Sequence, residues 1–125
     1  MAENEKAGQA LRPGKGGFEL IEIAREALRL KTKLEAGGAD REAVSLVKDY
    51  GLNVMLMVLR RGARLHEHHT KGPVTVHVLS GCVSLVASGT PHRIASGAMI
   101  ALDREVAHSV EALQDSALLL TTAIG

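Results

Sequence analysis

The sequence has no tryptophan, one tyrosine (Tyr50), one phenylalanine (Phe18) and one cysteine (Cys82) among its 125 residues. Aliphatic side chains must therefore supply the core, and there are too few rings for a stacking platform that would hold single-stranded nucleic acid. A lone cysteine makes neither a disulfide framework nor a CxxC zinc knuckle, and Cys82 reads as an inert core thiol. Charge of either sign is not in excess: 15 Lys and Arg against 14 Asp and Glu leave a formal net charge of +1. The basic residues gather on no recognisable stripe, so nucleic acid is not an expected partner. No apolar run approaches the roughly 18 residues of a membrane span, and the start MAENEKAGQALRPGKGG lacks the apolar centre of a secretory signal. A cytoplasmic protein with no membrane partner is expected. There is also no GxSxG elbow and no glycine-rich strand-to-helix phosphate loop, which removes the signals of a hydrolase or a nucleotide-binding fold.

What remains is a chain long enough for one domain with a real core. Residues 1–17 are rich in glycine and charge and read as a flexible tail. Residues 18–38 read as a helix: Leu20, Ile23, Ala24, Ala27, Leu28 and Leu34 fall near one face, Glu22 with Arg25 and Glu26 with Arg29 make i,i+3 pairs, and Gly37 and Gly38 supply the stop. From about residue 43 to 125 the period becomes two. The runs SLVK, LNVMLMVL, RLHEH, VTVHVL, CVSLVA, HRIA, AMIAL, AHSVEA and SALLLTTA are separated by DYG, RRG, TKGP, SG, SGTP, SG, DREV and LQD. Eight or nine strands at that spacing leave no room for parallel crossovers and predict an all-β, closed or two-sheet antiparallel barrel with one N-terminal α-helix.

The chemistry-bearing residues are histidines. The stretch RLHEHHTKGPVTVHVLSG holds His66, His68, His69 and His77, while His92 and His108 lie in later strands. Alternation puts Val74, Val76 and Val78 on one face and sends His77 to the other. His66 shares a face with His68 in a regular strand, and a bulge beside the TKGP turn is needed to re-aim His69. Met55, Met57 and Met99 fit core packing, since a copper site would want closely repeated thioethers.

Residues 45–123 resemble the small single-domain cupins, whose fold is an antiparallel double-stranded β-helix, or jelly roll. That family's first motif runs G, five residues, H-x-H, three or four residues, E, six residues, G. Gly62 and Gly81 select one register, in which His68 fills the first histidine place, Thr70 the second and Val74 the glutamate place. The second motif runs G, five residues, P-x-G, two residues, H, three residues, N. Gly97 and His108 match it, with Asp103, Glu105 and Ala112 at the remaining places. Fifteen residues separate Gly81 from Gly97, the spacer of compact members.

The resemblance implies a lumen pocket for a small molecule and a divalent transition metal (Fe, Mn, Ni, Cu or Zn) with His68 and His108 as ligands and His66 or His69 as a third. It also implies a homodimer, which the doubly apolar run LNVMLMVL favours. Val74 cannot bind a metal, so the expectation leans to a small-molecule-binding barrel, with a metal-dependent oxygenase or isomerase acting on a small organic substrate as the alternative.

Overall fold

The computed structural model describes residues 17–49 and 51–123, and within them every side chain but that of His68. The tail expected at residues 1–17 lies outside the described residues save Gly17. One helix, α1 (Ile23–Ala36), is followed by nine strands: β1 (Arg41–Asp49), β2 (Leu52–Leu59), β3 (Arg64–His68), β4 (Val74–Ser80), β5 (Cys82–Ala87), β6 (Thr90–Ala95), β7 (Met99–Leu102), β8 (His108–Ala112) and β9 (Ser116–Ala123). They form a five-stranded sheet, β1-β2-β9-β4-β7, and a four-stranded sheet, β3-β8-β5-β6, with every pairing antiparallel. This is the expected all-β jelly roll with one N-terminal helix.

Alternation along the strands divides the apolar residues into two clusters. Val74, Val76 and Val78 of β4, Leu118 of β9, Val83 and Leu85 of β5 and Val110 of β8 meet between the sheets as the barrel lumen. On the outer face of the first sheet, Leu46, Leu56, Val58 and Ala117 pack beneath Leu30 and Leu34 of α1. Strand β2 contributes to both, Leu56 and Val58 outward and Leu59 inward with Met57 packed beside it. The uninterrupted LNVMLMVL run is therefore accounted for within the chain, because α1 covers the face that polar residues would otherwise occupy.

The helix begins at Ile23, about a turn later than periodicity suggests, and residues 17–22 are not helical. Ala27, Leu30 and Leu34 face the sheet, so the apolar stripe runs through Leu30, while Phe18, Leu20 and Leu28 are exposed. Glu26 is buried within that face and kept there by the Arg29 guanidinium, whose Nε and Nη2 each lie 3.1 Å from Oε1. A buried carboxylate is tolerated only with such a partner. At the other end the Gly37 N–H donates to the Leu34 carbonyl in an extended, not left-handed, conformation. The same carbonyl accepts from Nη2 of Arg60 at 2.6 Å, while Arg60 Nε donates to Ala39 O at 3.1 Å. Arg60 follows β2 directly, so it ties the helix end to the strand the helix covers.

Tight turns complete the barrel. Ser88 (φ 49°) and Gly89 (φ 82°) form the two-residue link between β5 and β6, both left-handed as a type I′ hairpin requires. Pro91 sits in β6, the sheet edge, where its missing N–H costs least. Gly81, between β4 and β5, has φ 86°, and a Cβ there would collide with the Asp115 carbonyl and with Ser116. The Ser116 hydroxyl accepts the Cys82 N–H at 3.1 Å and donates to the Gln114 carbonyl at 2.8 Å, cross-linking the two connections.

Two stability outcomes follow. Gly81→Ala adds a steric clash to a left-handed backbone and should cost about 2–5 kcal/mol, whereas Gly62→Ala, at φ 89° with open space around it, should cost only about 1–2. Leu56→Ala removes a fully buried side chain beneath the helix and should cost about 2–5 kcal/mol. Urea unfolding of the three variants beside the parent checks both; equal midpoints for the two glycine variants would refute the close-approach account.

Candidate functional site

Strand β8 sets the site. His108, Val110 and Ala112 face the lumen and are buried, while Ser109 and Glu111 face outward, where Glu111 lies 3.8 Å from the Arg64 guanidinium. His108 is 1% exposed, and its ring Nδ1 lies 2.9 Å from the carbonyl of Val106, two residues earlier. A carbonyl can only accept, so Nδ1 carries the proton, and in the neutral ring Nε2 holds the lone pair. The cross-strand neighbours of His108 are Ala87 of β5 on one side and position 68 of β3 on the other.

Position 68 reaches that place through an irregularity. Leu65 pairs with Val110 and position 68 with His108, so β3 advances three residues where β8 advances two. One extra residue thus lies between them, a β-bulge. The bulge precedes His68, where the regular-strand expectation had none, and it separates His66 from the lumen. Leu65 packs on the lumen cluster, while His66 is exposed and lines a cleft of about 370 Å³ with Arg64, Ser84, Ser109 and Glu111, which face the outside of the second sheet. The side chain of His68, the first expected ligand, lies outside the described residues.

His69 is brought to neither place. Its Nδ1 lies 2.7 Å from Oε1 of Glu105, in the connection between β7 and β8, and both side chains are more than half exposed. The Glu105 N–H donates to the Thr70 carbonyl at 2.8 Å, and Val106 N–H donates to Asp103 O at 3.4 Å. Glu105 has φ 66°, a conformation costing a residue with a side chain about 1–2 kcal/mol. It occupies the place of the second motif's glycine, and the structure shows what such a glycine would be for. His77 faces outward between Leu119 and Met99, as alternation requires, and His92 is exposed on edge strand β6 opposite Leu85. Away from the barrel interior, at the start of β1, the Arg41 side chain donates to Asp40 at 2.8 Å and holds that carboxyl below its ordinary value.

The donor set decides what the lumen can hold. Val74, at the place of the motif glutamate, is buried on the lumen face opposite Leu102. Among the described residues no three His, Cys, Asp or Glu side chains come together to hold a metal ion. With a ligand at position 68 added to His108 the count reaches two imidazoles, and two hold a transition metal weakly. The described residues do not fit a resident metal held by three or more protein ligands. They do present one buried imidazole, His108, whose Nδ1 donates to the Val106 carbonyl beside an aliphatic cluster.

The barrel topology, the two-sheet lumen and the position of His108 in β8 can now be set beside solved structures. The fold is that of a small cupin. A cupin superfamily protein of Desulfitobacterium hafniense superposes with TM-score 0.69 at 14% identity, over 77% of this chain and 88% of that one. A cupin 2 conserved barrel domain protein of Leptotrichia buccalis gives 0.68 at 24% identity, over 76% of this chain and 46% of that one. A salicylate 1,2-dioxygenase of Pseudaminobacter salicylatoxidans gives 0.68 at 19% identity, over 90% of this chain and 38% of that one. No protein-family model matches the chain, and no curated protein matches it by sequence. The likeness is thus one of the cupin fold. Among the described residues no helix is long and apolar enough to cross a membrane.

A carboxylate restored to the motif place measures how apolar the cupin lumen is. Val74→Glu would bury an acid whose charged form is disfavoured, raising its folded pKa above the unfolded value. The gap from the parent should be smallest at pH 4, where the buried acid is neutral, and widen as pH rises through the unfolded and then the folded pKa. At pH 8 the gap should be of order 2–4 kcal/mol by urea unfolding. A gap that does not depend on pH would show that the position is wet.

Proposed function

We propose that this chain is a small-molecule-binding cupin barrel whose ligand is largely apolar and presents one O–H or N–H donor to Nε2 of His108. The observation that carries the reading is the Nδ1 hydrogen bond to the Val106 carbonyl, which makes Nε2 the acceptor nitrogen of a buried imidazole beside valine and leucine. An acceptor of this kind gives orientation, and the apolar wall gives affinity; that division is the ordinary economy of small-molecule pockets. Val74 and the outward placing of His66 and His69 support binding over metal-dependent oxygenation or isomerisation. A divalent metal belongs to the alternative reading, with His68 and His108 as its ligands.

The salicylate dioxygenase shares the barrel alone, yet an aromatic hydroxy acid combines an apolar body with a hydroxyl donor, so salicylate is a sensible first probe. Titrating ¹⁵N-labelled protein with salicylate, phenol and cyclohexanol should move amide resonances of β4, β5 and β8. His108→Leu, similar in size and without the lone pair, should weaken binding about five- to tenfold, the worth of one hydrogen bond. An unchanged spectrum with all three compounds at millimolar concentration would reject the reading. A nickel-dependent rise in melting temperature, lost in His108→Leu, would favour the metal alternative.

The reading includes a homodimer in the cytoplasm. What supports association is exposed apolar surface: Phe18 and Leu20 on the segment before α1 are 95% and 89% exposed, and Met99 on edge strand β7 is 60% exposed. Light scattering should return twice 13.2 kDa at micromolar concentration, and a monomer mass would reject the dimer.

A further inference from the structure

The connection between β7 and β8 carries three features that the ligand reading leaves unused. Glu105 holds a left-handed backbone at φ 66° although it bears a side chain. Its carboxylate meets Nδ1 of His69 at 2.7 Å and its N–H donates to the Thr70 carbonyl at 2.8 Å, so two bonds reach across to the connection between β3 and β4. The next residue, Val106, supplies the carbonyl that takes the Nδ1 proton of His108. A backbone that left the left-handed region at 105 would rotate the peptide that follows it, and that peptide leads directly to the Val106 carbonyl. A non-glycine residue stays in such a conformation only when its surroundings over-determine it.

We propose that Glu105 is the positioning residue of the His108 site: its contact with His69 keeps the 103–107 strap in the one conformation that points the Val106 carbonyl at Nδ1, and so fixes the imidazole with its lone pair on Nε2. Glu105 acts through Val106 and is exposed, so it has no part in contacting what the lumen holds. The pairing is reciprocal in its economy, since His69 stands beside position 68 on one strap and Glu105 three residues before His108 on the other. Glu105 thus links, through its side chain and its N–H, the two chain segments that deliver histidines to adjacent cross-strand positions. This inference rests on reading His108 as the polar anchor of the lumen, but it is tested without any ligand.

The test is the tautomer of His108, read from long-range ¹H–¹⁵N correlations of the imidazole nitrogens in the full chain at a pH where the ring is neutral. The parent should show protonated Nδ1 and unprotonated Nε2 alone. Glu105→Ala keeps the backbone penalty and loses the His69 contact; the folded protein should then show both tautomers or an averaged pattern. Glu105→Gly lacks the contact but adopts the left-handed region freely, and should recover the single tautomer in most molecules. Melting temperatures recorded alongside separate this from a merely structural role, which would lower stability and leave the tautomer untouched. A parent pattern retained in Glu105→Ala overturns the proposal, and so does a Glu105→Gly variant as mixed as the alanine one. If the parent binds none of the probe compounds while Glu105→Ala still scrambles the tautomer, the ligand reading falls and the positioning role stands.

Discussion

The first sheet must bury both of its faces, and the rest of the molecule is arranged around that demand. Leu118 and Leu59 pack into the lumen while Leu56, Val58 and Ala117 lie beneath α1, so β2 and β9 are apolar on two sides. A strand of that kind is stable only between two layers, which here are the second sheet and the helix. Arg60 shows how tightly the layers are joined, because one guanidinium closes both the end of the helix and the loop that follows it. Among the described residues the second sheet faces a layer on one side only. Its outer surface is accordingly polar, with Arg64, Ser84, Ser109 and Glu111 in view.

That asymmetry places the chemistry. The second sheet's inner face is the only place where β8 can bury a histidine among aliphatic side chains, and its connections are free to carry polar contacts because they lie at the barrel's rim. His108 takes the buried role, with its Nδ1 engaged locally by the Val106 carbonyl. His69 and Glu105 take the exposed role. Histidines that look equivalent in the sequence thus stand in different surroundings: His108 in an aliphatic interior against a backbone carbonyl, and His69 at the surface against a carboxylate.

Much of the fold was legible from periodicity. Val74, Val76 and Val78 alternate with Thr75 and His77, and the pleat alone assigns their faces. The outward placing of His77 and Glu111 follows from the same parity. Helix limits were less so: Leu20 and Leu28 carry as much hydrophobicity as Leu30, and only the surface they meet decides which stripe is buried. Parity also misled at His66. Two-residue alternation counts from His68, but the extra residue between Leu65 and position 68 shifts the count, and a bulge leaves no reliable trace in residue types.

The sequence by itself determined the architecture, because strand faces and turn positions are encoded in local alternation and in glycines such as Gly81 whose backbone no other residue fits well. It also determined that the motif glutamate place is apolar, since Val74 can be nothing else. Only the tertiary structure decided which histidines matter. Strand register, a bulge and the carbonyl of Val106 set the face, the neighbours and the proton position of each imidazole, and those depend on pairings between segments some forty residues apart. Residue identity fixes what a side chain can do; cross-strand geometry fixes which of those things it is placed to do.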